Sequence, residues 1–151
     1  IRPFRDEVAR YGEFSKGGEF VYDHPFQWGS KRTGPDSARI GGKYTDSWHY
    51  LHMREPALIS PGSIMPAYPW LYDNDLDLST TAAKIRAMQT LGVPYPEKYD
   101  EKANEDLQAQ AIEVFKRLKA EKIEADPNKE IIALIAYMQR MGVDGKLNQN
   151  K

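Results

Sequence analysis

Cysteine is absent from this chain of 151 residues. Its absence excludes disulfides and cysteine-based zinc sites, while leaving the redox compartment open. An excess of either acidic or basic residues is missing too. Lys and Arg number 21 against 22 Asp and Glu, a formal net charge of -1, which argues against the basic stripe of a nucleic-acid binder. No apolar run approaches the roughly 20 residues that span a bilayer, and no signal peptide opens the sequence. Strand-like alternation and internal repeats are lacking. So are a Gly-x-Ser-x-Gly elbow and a glycine-rich phosphate loop, which leaves nucleophilic catalysis without a footing.

What is present points to one helical domain over residues 1–143, followed by a polar, frayed tail over 144–151. Ten prolines and eleven glycines, crowded into the first two thirds, predict long irregular segments there. The spacing of Phe4, Val8 and Tyr11 predicts a short helix over 3–11 with an apolar face. Thr45 is an N-cap candidate for a helix reaching about Met53, and 56–77 reads as irregular. Ser79 is expected to cap a helix with Ile85, Met88 and Leu91 on one face, ended by Gly92 and Pro94. Leu107, Ala111, Val114, Phe115 and Leu118 stripe a charged helix from about Glu101 to Ile123. Asp126-Pro127 then supplies an N-cap and first-turn proline for a last helix carrying Ile131, Ile132, Leu134, Ile135, Met138 and Met141.

Two stretches carry chemical interest. Lys31-Arg32-Thr33-Gly34-Pro35-Asp36 taken alone is a turn. Pro61-Gly62-Ser63-Ile64-Met65-Pro66-Ala67-Tyr68-Pro69-Trp70 holds a methionine between prolines. A lone methionine is ordinarily core filler, but a thioether held in such a loop is also a soft ligand for haem iron or copper(I). His49 and His52 stand i, i+3 on a predicted helix and could share a metal. With no placed carboxylate nearby, ordinary surface or half-buried histidines are the default reading. His24, between Asp23 and Pro25, reads as a hydrogen-bonding loop residue.

The order of these features resembles class I cytochromes c: a Gly-Pro turn, a tryptophan helix, a Met-Pro loop and a final helix with Leu134 to Tyr137. Three blocks resemble one family more closely. They are Ile1-Arg2-Pro3-Phe4-Arg5-Asp6-Glu7, the run from Asp23-His24-Pro25-Phe26-Gln27-Trp28-Gly29-Ser30 through Asp36, and Ser63 to Leu71. Together they are similar to the mono-haem cytochrome c subunit (FixO/CcoO-like) of cbb₃-type haem–copper oxidases, over Ile1 to Gly142.

That resemblance implies an all-α, cytochrome c-like domain with long irregular loops. It implies Met65 as the distal axial ligand of haem c, and the Pro35 carbonyl as acceptor for the outer nitrogen of the proximal histidine. Arg39, Tyr44 and Trp48 become propionate candidates by analogy. Ser37 departs from the family, which commonly has leucine there to pack on the haem. The family's C-x-x-C-H motif lies just upstream of the segment resembling Ile1 to Phe4, and an anchor helix lies further upstream. The chain is therefore expected to be truncated after the haem-attachment segment and to hold no covalent haem. The implied role is electron transfer towards the catalytic haem–copper subunit, alongside other cytochrome c subunits, on the periplasmic face of the inner membrane. An empty haem pocket of several hundred Å³ costs several kcal/mol at roughly 24 cal/mol per Å³. Rearrangement around Met65 or self-association is therefore expected. A haem-free interaction module and a small metal-binding protein using His49, His52 or Met65 are the alternatives.

Overall fold

A computed structural model describes residues 1–25, 29 and 31–143. Phe26, Gln27, Trp28 and Ser30 of the second family block, and the polar tail over 144–151, lie outside the described residues. The expected all-α fold is the one found. Among the described residues seven α-helices follow in order: α1 (Arg5–Tyr11), α2 (Asp46–Arg54), α3 (Pro56–Ile59), α4 (Trp70–Asp73), α5 (Thr81–Thr90), α6 (Tyr99–Ala120) and α7 (Glu130–Arg140). A short 3-10 turn, Gly17–Phe20, separates α1 from the long loop before α2.

The core forms where the stripes of α6 and α7 meet. Ala111, Val114 and Leu118 of α6 pack with Ile131, Ile132, Ile135 and Met138 of α7 and Tyr50 of α2. The one-four-seven spacing on α7 places its isoleucines and Met138 on the same side. Two tyrosines add α4 to this core. The Tyr72 hydroxyl donates to the Tyr50 carbonyl, and the two rings meet edge to face at 4.9 Å. Helix α5 packs on α6, held by an Arg86–Asp100 ion pair at 2.7 Å. Gly92 ends α5 with a φ of +90°, and the Val93 amide bonds back to the Met88 carbonyl.

Several boundaries differ from expectation for identifiable reasons. Ser79 does not cap α5. Its amide bonds the Asp77 side chain instead, and Thr80 precedes the helix without a side-chain cap. Asp126 likewise closes a local turn onto the Asn128 amide, so α7 starts only at Glu130. The intervening backbone is engaged elsewhere, because Leu76 and Glu130 amides bond the carbonyls of Asn128 and Asn74. The stretch 56–77 is less irregular than expected, since it contains α3 and α4. Leu91 faces outward from the α5 stripe.

Helix α1 gives the clearest correction. Its apolar residues do not face a core: Phe4 is 59% exposed and Val8 36%, whereas Glu7 is buried. The helix is held by charge, not by its predicted apolar face. At the other end of the chain, backbone meets backbone. The Gly41 amide donates to the Met141 carbonyl at 3.0 Å, and a Cβ on Gly41 would lie 2.5 Å from the Gln139 carbonyl oxygen. Gly142, at φ +74°, presses equally closely on the Ala38 carbonyl.

Truncating Ile135, fully buried between α6 and α7, to alanine is expected to cost about 2–5 kcal/mol. Truncating Ile64, 88% exposed, should cost less than about 0.5 kcal/mol. Urea denaturation of the two variants measures both values.

Candidate functional site

Thr45 caps α2 as expected, its hydroxyl oxygen accepting from the Trp48 amide at 3.2 Å. That start fixes the phase of α2 and so builds an aromatic column. Tyr44 stacks on Trp48 at 4.0 Å, and Trp48 stacks on His52 at 4.4 Å. His49 stands edge-on to Trp48 at 5.3 Å and to Tyr44 at 6.0 Å. Two propionate candidates, Tyr44 and Trp48, are thus brought together with both helical histidines. His49 is 1% exposed, and neither its Nε2 nor His52 Nδ1 has a hydrogen-bond partner. Buried polar atoms left unmatched are costly, and sites that receive a ligand are where they accumulate.

Burial pushes the His49 pKa below its ordinary 6.5, with Asp46 opposing and His52 assisting. Burial does the same to His52. Both rings are therefore held towards the neutral form, in which each has one acceptor and one donor nitrogen.

Met65 lies half-buried in the loop between α3 and α4. Its amide bonds the Ser63 hydroxyl at 3.2 Å, and Gly62 takes the positive φ that the turn before it needs. Further along, the Tyr68 amide donates to the Met53 carbonyl at 3.0 Å, fastening the loop to the last turn of α2. The loop's exposed side carries Ile64 and Trp70.

Pro35 is exposed in its turn. Asp36 beside it closes an Asx turn onto the Ala38 amide at 2.9 Å, and Ser37, at the family's leucine position, is exposed. Arg39 is engaged away from the aromatic column. Its guanidinium pairs with Glu19 at 2.8 Å and donates to the Ala38 carbonyl. His24, in the loop, is exposed. A separate cavity of about 180 Å³ between α6 and the 76–78 and 127–128 segments contains none of these residues.

The sequence reading missed two groups of polar residues. One is the charge cluster of Glu7, Arg32 and Asp36. The other is Asp46, whose buried carboxylate accepts from Arg117 Nε at 2.5 Å and from Gln139 Nε2 at 2.7 Å. Arg32 and Asp36 stand only four residues apart, but Glu7 lies 25 residues from Arg32, and the partners of Asp46 lie 71 and 93 residues away, so local spacing carries no trace of those contacts.

A family model described as cytochrome c oxidase, mono-haem subunit/FixO matches residues 1–144. The chain belongs to this family. No curated protein matches it. This FixO chain is accordingly a subunit of an electron-transferring oxidoreductase complex and a partner of other oxidase subunits. Among the described residues no helix is long and apolar enough to cross a membrane.

The residues fit part of what a mono-haem family implies. A half-buried thioether and two buried, unmatched ring nitrogens are suited to an iron porphyrin with acidic substituents. Thioether attachment needs cysteine, which these 151 residues lack. Among the described residues no group of three or more His, Cys, Asp or Glu is arranged to hold a metal ion.

Because His49 is kept neutral by burial, the unfolded chain binds its proton more readily than the folded one. Its contribution is fully present above pH 6.5 and is lost as pH falls below that value. Acidification from pH 7 to 5 should therefore lower the unfolding free energy, and more steeply than in H49F. At pH 7 this variant should lie within about 1 kcal/mol of the parent. Thermal or urea unfolding across pH provides the check.

Proposed function

We propose that this domain carries electrons through a c-type haem towards the haem–copper catalytic subunit of a cbb₃-type oxidase, on the periplasmic face of the membrane. The reading rests on the family match over residues 1–144, with which the Met65 loop and the Gly34-Pro35 turn agree. Haem c, when bound, supplies a one-electron couple. The chain's own residues would set its surroundings. Met65 would offer a thioether to the iron, and methionine ligation together with histidine raises the reduction potential. The Pro35 carbonyl would accept from the outer nitrogen of a proximal histidine and so orient its ring. Tyr44 and Trp48 would offer donors to the propionates; the third candidate, Arg39, is paired with Glu19 in this structure.

The position of Ile1 supports the same reading. Its backbone nitrogen bonds the Ser15 hydroxyl at 2.7 Å and lies 3.6 Å from Asp36 Oδ2, next to Pro35. Residues joined to Ile1 would enter at the Gly-Pro turn, where a proximal histidine has to be delivered. On this view the two thioether links and that histidine come from a C-x-x-C-H motif preceding Ile1. The cysteine-free stretch alone binds no haem covalently, and its uncovered apolar loop can pair with another copy.

The coding sequence just upstream of Ile1 should specify C-x-x-C-H, preceded by an apolar helix. Its absence would transfer the assignment to a haem-free module that docks on membrane subunits. In the haem-loaded subunit, M65H should abolish the methionine–iron absorption signature. It should also lower the potential by on the order of 0.1 V, within the roughly 0.8 V span that axial ligands govern. An unchanged spectrum and potential would remove Met65 from the iron.

A further inference from the structure

One polar assembly has no part in the site described above. Arg32, in the loop before the Gly-Pro turn, grips two carboxylates from different places in the chain. Its Nη2 lies 2.7 Å from Glu7 Oε2 of α1 and 2.7 Å from Asp36 Oδ2, and its Nε donates to Asp36 Oδ2 at 2.9 Å. The guanidinium also lies over the Tyr11 ring, 4.8 Å from its centroid. The side chains of Arg32, Glu7 and Asp36 are only 19%, 11% and 13% exposed, so water screens these pairs less than an ordinary surface pair.

Each carboxylate has a second task. Glu7 accepts the Arg2 amide at 3.0 Å and is paired with the Arg2 guanidinium. The Arg32 hydrogen bond is the main reason its pKa falls to about 2, so it stays charged at neutral pH. Asp36 closes the turn that follows Pro35 and lies within 3.6 Å of the Ile1 nitrogen. Arg2 is thereby tied to the Gly34-Pro35 turn through Glu7 and the Arg32 guanidinium, while Ile1 lies against Asp36 itself. The exposure of Phe4 and Val8 shows that apolar packing does not make this connection.

We infer that Arg32 is a positioning residue for the haem histidine: by holding Glu7 and Asp36 together, it fixes the chain entering at Ile1 against the Pro35 carbonyl. This rests on the proposed haem reading, and it assigns a task to residues that touch neither the iron nor the porphyrin. Lysine cannot replace arginine here, because an ammonium lacks the planar fork that serves two carboxylates at once.

The test is potentiometry on the haem-loaded subunit with R32K and R32A, with M65A as control. Loss of the Pro35 hydrogen bond makes the imidazole a weaker donor to ferric iron. At the parent's midpoint potential, R32A should therefore shift the reduced-to-oxidised ratio towards the reduced form by about tenfold, and R32K by less. A purely electrostatic role gives the reverse sign in R32A, because removing a cation favours the oxidised, more positive iron, and gives no shift in R32K. Either of those results overturns the inference. If M65A leaves the iron spectrum unchanged, the haem reading itself fails, irrespective of Arg32. On the haem-free chain, R32A should speed amide hydrogen exchange over residues 1–11 and 35–38 about tenfold or more, with α6 and α7 unaffected. Unchanged exchange there would show that no clamp exists.

Discussion

The buried carboxylate of Asp46 is the constraint on which the helical half of this molecule converges. It sits at the first position of α2, where the helix dipole favours negative charge. From there it receives Arg117 of α6 and Gln139 of α7. Ser47, the next residue, donates to Glu121 beyond the end of α6. Apolar stripes bring α6 and α7 together, but they do not choose how α2 lies across them. Those directional bonds do. A carboxylate removed from water in this way needs its partners, since a buried charge left alone costs several kcal/mol. The aromatic column of Tyr44, Trp48 and His52 is aimed by the same bonds, because Gln139 also takes the Tyr44 carbonyl.

The N-terminal third is organised on a different principle. There, ion pairs and turn hydrogen bonds replace apolar packing, with Arg32 joining Glu7 to Asp36. Such a region is specified mainly by geometry and solvation. In a cytochrome-like domain this arrangement has a physical logic. If haem binds there as proposed, it would supply apolar surface, and the polypeptide around it would need to hold positions more than to bury surface of its own.

Helix existence was legible wherever periodicity was long. The α6 and α7 stripes read directly as Ala111, Val114, Leu118, Ile131, Ile132, Ile135 and Met138, and Thr45 announced itself as a cap. Boundaries failed where a side chain preferred a local turn, as Asp77 and Asp126 did, because Asx turns compete with helix starts. The short helices α3 and α4 were invisible inside a proline-rich run. Each is a single turn supported by tertiary contacts, without a periodic stripe of its own. The α1 stripe misled because periodicity marks a face without saying what will cover it. At the site, resemblance of whole blocks carried the family, while the pairings of Arg32 and Asp46 required the folded chain. The pairing of Arg39 with Glu19, twenty residues away, was likewise not legible in the sequence.

The last turn of α7 reads the 41–46 segment one residue at a time. Met141 takes the Gly41 amide, and the Gln139 side chain accepts from the Gly42 amide while donating to Tyr44 and Asp46. Gly41 and Gly142 leave no space for a methyl group between the two backbones. This works as a ruler between distant parts of the chain. A single-residue insertion within 41–46 or 130–142 would put the two segments out of register. Length variation in this family should therefore be nearly absent from these two segments.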